Sequence, residues 1–121
     1  MLPLSDFPAP ARREIRGVFC DIDDTLTTGG RLTVAAYSAL DRLRQAGLIV
    51  VPVTGRPAGW CDPIARMWPV SAVVGENGAF YFRYHAARRA MQRRFVDDDA
   101  TRAAHRARLA AIGEAVLRAV P

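Results

Sequence analysis

Three carboxylates and a threonine stand together early in the chain, at Asp21, Asp23, Asp24 and Thr25. They follow the apolar run 17–20, which predicts a buried strand with the acidic residues at its carboxyl end. In open α/β sheets this edge is where ligands bind. Adjacent carboxylates repel one another unless a cation compensates their charge. The stretch therefore predicts a cation site that contains a reactive carboxylate.

A second group of polar residues follows the next apolar run, at Thr54, Gly55 and Arg56. The Thr54 hydroxyl and the Gly55 N–H come at a predicted strand-to-helix turn, where backbone donors suit anions. Arg56 either contacts a bound phosphate or braces the loop against an acidic neighbour, and the sequence leaves both roles open. Asn77 lies in the predicted turn 75–78, so it is a turn residue first and a candidate substrate contact second.

The predicted elements alternate between strand and helix. Strands are predicted at 15–21, 48–54 and 70–74, with helices at 33–46 and 58–68 between them. This order predicts an α/β fold with a parallel sheet and right-handed crossovers. Segments 79–84 and 91–96 are expected to pair as a hairpin, and three aspartates precede a helix predicted at 100–120. We therefore divide the chain into a flexible lead (1–14), a core portion (15–96) and a last helical region (97–121).

Composition limits the classes of function. The net charge of +5 comes entirely from arginines, because the sequence contains no lysine. The excess lies in residues 82–121, where few aromatic residues are interleaved with the arginines, so support for a nucleic-acid partner is thin. No segment is apolar enough to span a membrane, and the N-terminus lacks a secretory pattern. We expect a cytoplasmic protein whose two cysteines, Cys20 and Cys61, are reduced thiols.

Three segments resemble the haloacid dehalogenase-like hydrolases. The stretch from Asp21 to Thr25 resembles their first motif, Asp-x-Asp-x-Thr, and Thr54 at a strand end resembles the second. Asn77-Gly78-Ala79 is similar to a segment of the Cof-like, sugar-phosphate branch, in which an α/β cap is inserted after the third strand. The resemblance implies a Rossmann-like parallel sheet core, here incomplete, followed by the beginning of a cap at 97–121.

The resemblance also implies roles for single residues. Asp21 would be the nucleophile and a ligand of Mg²⁺, and Asp23 the general acid and base, with its backbone carbonyl on the metal. Asp23 would then need a raised pKa. Thr54 and Gly55 would bind phosphate, and Arg56 and Asn77 would contact substrate. The implied reaction is Mg²⁺-dependent hydrolysis of a small phosphorylated metabolite, with a sugar phosphate as one candidate, through an aspartyl-phosphate.

Thr25 is expected to hold the loop after the first strand through side-chain bonds to the backbone. Two other features of the family are missing from the sequence. One is a Lys or Arg that steadies the charge of the phosphoenzyme: there is no lysine, and although an arginine could serve, no strand-end context singles one out. The other is a further acidic metal ligand, and no Gly-Asp pair follows residue 80 to supply it. A receiver-type signalling domain fits worse, because it also requires a lysine and a phospho-accepting Asp at the end of a later strand.

We expect the chain to be the front portion of a longer hydrolase, with little or no phosphatase activity alone. One alternative is a short, non-catalytic relative that binds a ligand or self-associates through the apolar stripe of its last helix, formed by Leu109, Ile112, Val116 and Val120. The other alternative is a chain that a second polypeptide completes.

Overall fold

Apolar runs alternate with amphipathic segments along the chain, and they build one mixed sheet with helices on it. A computed structural model of the protein describes residues 3–120. Its helices and strands are α1 (Ala9–Glu14), β1 (Gly17–Asp21), β2 (Thr27–Thr28), β3 (Arg31–Leu32), α2 (Val34–Gln45), β4 (Ile49–Val53), α3 (Ala58–Met67), β5 (Val73–Gly75), β6 (Phe80–His85), β7 (Ala90–Phe95) and α4 (Asp99–Ala119). Single 3₁₀ turns occur at Leu4–Asp6, Glu76–Gly78 and Ala86–Arg88.

The main sheet has five strands in the order β1-β4-β5-β6-β7. The first three run parallel, and β6 and β7 continue the sheet as an antiparallel hairpin. Asp21 pairs with Val53, and Val53 pairs with Val74, so the carboxyl ends of the three parallel strands meet at one edge. The predicted α/β fold and the predicted hairpin are confirmed.

The core lies between one face of the sheet and helices α2 and α3. Leu40 of α2 and Ile64 of α3 join the strand residues Val50, Val73 and Phe82 in one buried cluster. Burying each such side chain contributes about 1.5–3 kcal/mol before the cost of ordering it. This cluster fixes the strand ends in position, and so it fixes the polar turns that follow them.

Two short elements were not expected from the sequence. Segment 1–14 was predicted to be a flexible lead, yet α1 forms there after Pro8, with Pro10 in its first turn, where proline is tolerated. No residue of α1 is buried, and residues 1 and 2 lie outside the described part of the chain. The second element is the β2–β3 hairpin, whose turn uses Gly29 and Gly30 at φ values of 56° and 73°. Consecutive positive φ angles suit a tight hairpin turn, for which glycine is favoured.

Helix α4 begins as the aspartate run predicts. The Asp98 side chain accepts a hydrogen bond from the Thr101 N–H at 2.7 Å and caps the helix. No residue of α4 is buried, so its apolar stripe has no partner within residues 3–120. No helix in this part of the chain combines the length and the apolar character needed to cross a membrane.

Candidate active site

The candidate site lies at the edge where the three parallel strands end. A cavity of about 490 Å³ opens there, lined in part by Asp21, Thr54, Gly55 and Asn77. These are four of the six residues that the sequence singles out, and they lie at or just after the ends of three separate strands. The parallel register brings them together, because it aligns the ends of β1, β4 and β5.

Asp21 is the last residue of β1, and its side chain is exposed. Within residues 3–120 its carboxylate has no hydrogen bond and no ion pair. Next to it, burial and the negative charge of Asp21 raise the pKa of the Cys20 thiol. Asp21 therefore offers an unengaged carboxylate to the cavity, as a nucleophile or a metal ligand requires.

Thr54 is held tightly at the end of β4. It is 2% exposed, and its N–H donates to the Val74 carbonyl at 3.0 Å. Its hydroxyl oxygen accepts a hydrogen bond from the Arg56 N–H at 3.1 Å, which leaves the hydroxyl proton to be donated elsewhere. A phosphoryl oxygen in the cavity is an acceptor of the right kind for that proton.

Asn77 is placed by an unusual backbone. Glu76 and Asn77 have φ values of 48° and 56°, a conformation that costs free energy in non-glycine residues and is enriched at functional sites. The Asn77 N–H donates to the Thr54 carbonyl at 3.1 Å. A Cβ atom on Gly55 would lie 3.2 Å from Asn77 Oδ1, so glycine allows the close approach of the two turns.

Glu76 is a positioning residue that the sequence analysis missed. Its N–H donates to the Arg56 carbonyl at 3.1 Å, and its Oε1 accepts from the Ala58 N–H, at the start of α3, at 3.4 Å. It thus ties the 54–58 turn to the end of β5. The sequence held one signal for this role, an acidic residue directly before the Asn77-Gly78 turn. Carboxylates are favoured near the N-terminus of a helix, and Glu76 contacts the N-terminus of α3.

Asp23 and Arg56 form an ion pair beside the cavity. Arg56 Nε donates to Asp23 Oδ2 at 3.1 Å, and Nη2 donates to Oδ1 at 2.5 Å. Of the two roles left open for Arg56, bracing against an acidic residue is the one observed. The hydrogen bonds from Arg56, and then its charge, lower the pKa of Asp23. The expectation of a raised Asp23 pKa is therefore wrong for this arrangement, since a guanidinium favours the charged carboxylate.

Thr27, rather than Thr25, holds the loop after β1. The buried Thr27 hydroxyl donates to the Ile22 carbonyl at 3.0 Å and accepts from the Asp24 N–H at 3.2 Å. Thr25 is exposed, so the role expected for it belongs to the residue two positions later. Asp24 itself has a φ of 56° and is also exposed.

The metal site expected from the sequence would have few protein ligands. Within residues 3–120 no three His, Cys, Asp or Glu side chains lie close enough to hold a metal ion together. Asp21 supplies one carboxylate, and Asp23 has a backbone carbonyl two residues later. Mg²⁺ in proteins often takes only one or two carboxylates and completes its shell with water and substrate phosphate. The donor set thus fits a weakly held Mg²⁺ that needs the phosphate.

Residues 18–109 match the family model for haloacid dehalogenase-like hydrolases. The chain belongs to this family. The match covers the strand-end acids, the Thr54 turn and the Asn77 turn, so it confirms the resemblance at the level of the family. No curated protein matches the chain, and no solved structure does.

Proposed function

We propose that this hydrolase is a Mg²⁺-dependent phosphohydrolase that acts on a small phosphorylated metabolite through an aspartyl-phosphate. One observation carries the proposal. The unengaged carboxylate of Asp21 lines the same cavity as the Thr54 hydroxyl and Gly55. A nucleophile facing phosphate donors is the arrangement that phosphoryl transfer to a carboxylate needs.

In the proposed reaction an Asp21 carboxylate oxygen attacks phosphorus, and the bond from phosphorus to the leaving oxygen breaks. Asp23 gives that oxygen a proton and later takes one from the water that attacks phosphorus and releases Asp21. Thr54 and Gly55 orient the phosphoryl oxygens. Bound Mg²⁺ would be held by Asp21 and the Asp23 carbonyl, and it would offset the repulsion between the carboxylate and the phosphate.

We propose that Arg56 plays both of its candidate roles, first bracing Asp23 and then contacting the bound phosphate. While it holds Asp23, that carboxylate stays charged and has no proton to give. A phosphate dianion competes for the guanidinium, because Arg binds phosphate as well as carboxylate through paired hydrogen bonds. When Arg56 turns to the phosphate, the cause that lowers the pKa of Asp23 is removed, and the negative phosphate beside the carboxyl group favours its protonated form, which an acid needs. Asn77, on the opposite turn, is the second proposed substrate contact.

We also propose a branch of the family, a role for segment 97–121 and a cellular location. The Asn77 turn supports the Cof-like branch, and the absence of buried residues in α4 supports reading 97–121 as the beginning of a cap. A sequence without lysine, and a described chain without a third metal ligand, support a need for further residues before turnover is efficient. A cytoplasmic location is supported by the free thiols of Cys20 and Cys61.

A phosphoryl mimic tests the nucleophile directly. The intact chain is mixed with Mg²⁺ and beryllium fluoride, and a ¹⁹F NMR signal of the protein-bound adduct is expected. Asp21→Asn should abolish that signal. Asp24→Asn is the matched control, because Asp24 is an exposed neighbour outside the cavity lining and asparagine tolerates its positive φ. A bound signal that survives in Asp21→Asn would contradict the proposal.

Self-association is a second candidate function, in which the chain acts by binding rather than by catalysis. The observation that favours it is the apolar stripe of α4, where Ile112 and Val116 are 51% and 53% exposed. A helix face of this kind is stabilised when a second copy covers it. The oligomeric state in solution tests this candidate.

A further inference from the structure

A second cavity lies between the β2–β3 hairpin and helix α3. Its volume is about 240 Å³, and its lining includes Leu32 of the hairpin and Trp60, Ile64 and Met67 of the helix. Arg56 lines it as well. Apart from Arg56, none of these residues belongs to the phosphate site described above.

The chemistry of this lining favours an apolar occupant. Its hydroxyl group, on Thr27, is engaged with the protein on both its donor and its acceptor side. Its charged group, on Arg56, is engaged by Asp23. Trp60 and Met67 nevertheless keep 56% and 72% of their surface exposed. Large apolar side chains left in water around a cavity are typical of a ligand site.

Arg56 connects this cavity to the phosphate site. Its backbone N–H donates to Thr54 Oγ1, which lines the first cavity, while its side chain lines the second. Ile22 lines the second cavity and lies between Asp21 and Asp23 in the sequence. The two cavities are therefore neighbours, because residues adjacent in sequence line both of them.

We propose that the second cavity binds a single uncharged aromatic ring, the part of the substrate that carries the phosphate ester. This inference rests on the proposed function for the phosphate, and it narrows the substrate class from a sugar phosphate to an aromatic phosphate ester. A cavity of about 150 Å³ is enough for benzene, so 240 Å³ holds one substituted ring and little more. A ring is favoured over an aliphatic chain because tryptophan and methionine, the residue types at Trp60 and Met67, both form favourable contacts with aromatic groups in proteins.

The test uses the two tryptophans of the chain, Trp60 and Trp68, both of which line the cavity. Their indole N–H signals in NMR spectra of the intact chain report on its occupancy. Three probes are titrated with Mg²⁺ present, namely phenol, methyl phosphate and phenyl phosphate. We expect phenol to shift both indole signals. We expect phenyl phosphate to bind about tenfold tighter than methyl phosphate, the least that burial of one ring should give.

Variants separate the ring from the phosphate. Trp60→Ala should remove the preference for phenyl over methyl phosphate, with the Trp68 indole as the remaining reporter. The readout is the ratio of the two affinities, because the Arg56 guanidinium lies 4.5 Å from the centre of the Trp60 ring and its loss of this contact affects both phosphates alike. Tyr81→Ala is the matched control, an exposed aromatic residue outside both cavities, and it should change neither value. Thr54→Val should weaken methyl phosphate and leave the phenol shifts intact.

The possible failures are distinguishable. Equal affinities for phenyl and methyl phosphate, or phenol that shifts no indole signal, would overturn the aromatic site and leave the phosphohydrolase proposal standing. Methyl phosphate binding that is insensitive to Thr54→Val would count against the phosphate site. Even if the phosphate site fails this test, the aromatic site would be supported if phenol shifts the Trp68 indole signal in the parent chain and no longer does so in Trp60→Ala.

Discussion

Asp23 and Arg56 are 33 residues apart in sequence, and two hydrogen bonds join them at the edge of the candidate active site. The pair brings together the residue proposed as general acid and a cation proposed to contact substrate. In this arrangement the acid is held in its charged form, because the guanidinium lowers its pKa. Catalysis by Asp23 would thus begin with a change of partner for Arg56.

Replacing Arg56 should raise the pKa of Asp23. In Arg56→Gln we expect the pKa of Asp23 to rise toward the ordinary carboxyl value, because the hydrogen bonds and the charge that favour the ionised form are gone. Titration of the Asp23 side-chain carboxyl ¹³C signal by NMR measures this shift. Arg42→Gln, at an exposed position of α2, is the matched control and should leave the titration unchanged.

The same pair has a defined effect of pH on stability. Since the folded-state pKa of Asp23 is lowered, the pair stabilises the folded chain above about pH 4 and loses this contribution as pH falls through the lower folded value. Arg56→Gln should flatten that part of the acid denaturation profile. An Asp23 titration identical in the variant and the parent chain would contradict the ion pair.

Replacing Gly75 should destabilise the fold. A Cβ atom at this position would lie 2.3 Å from the Phe80 ring and 2.7 Å from the Cys61 sulfur, and both side chains are buried in the core. We expect Gly75→Ala to lower the free energy of unfolding by about 1–3 kcal/mol, as overpacking does. Urea denaturation followed by tryptophan fluorescence measures the change.

Gly113→Ala is the control for the substitution itself. Gly113 lies in the exposed helix α4 with nothing within 4 Å of the added atom. Alanine there should raise helix content in circular dichroism or leave it unchanged, since glycine costs about 1 kcal/mol in a helix interior. Equal unfolding curves for Gly75→Ala and the parent chain would mean that β5 and β6 pack differently from this structure.

The sequence predicted the strand ends well and the contacts between them less well. Apolar runs are local signals, so the sequence pattern predicted the end of β1 at Asp21, and it predicted the end of β4 to within one residue, at Thr54 where the strand ends at Val53. The Asp23–Arg56 pair depends on how two distant turns meet, and no local pattern encodes that distance. The loop threonine was misplaced for a similar reason. Thr25 and Thr27 are equivalent in type, and only the packing of the hairpin buries one of them.

The short elements were missed because little stabilises them. Helix α1 has six residues and buries none of them, so its sequence carries no apolar stripe to detect. The β2–β3 hairpin has strands of two residues, too short for an alternating pattern. The long helix α4 also buries no residue, but its cap and its apolar stripe are local sequence features, so it could be predicted.

The exposed stripe of α4 predicts self-association. We expect the chain to form dimers at micromolar concentration, because covering Ile112 and Val116 removes apolar surface from water. Ile112→Glu should shift the population to monomer in analytical ultracentrifugation. Arg106→Glu is the control, since it places the same side chain on the same helix at a position outside the stripe. A parent chain that is monomeric throughout would count against this second candidate function.

Turnover by this chain should be slow or undetectable even if its nucleophile is competent. The proposed metal has one unengaged carboxylate, Asp21, and the proposed acid is held in its charged form by Arg56. We expect hydrolysis of an aryl phosphate with Mg²⁺ to stay at the rate of the Asp21→Asn variant, while the same preparation still forms the beryllium fluoride adduct. The adduct is the internal control, because it shows that the site is folded and binds. Mg²⁺-dependent turnover that Asp21→Asn abolishes would show instead that the acids of this chain are sufficient for catalysis.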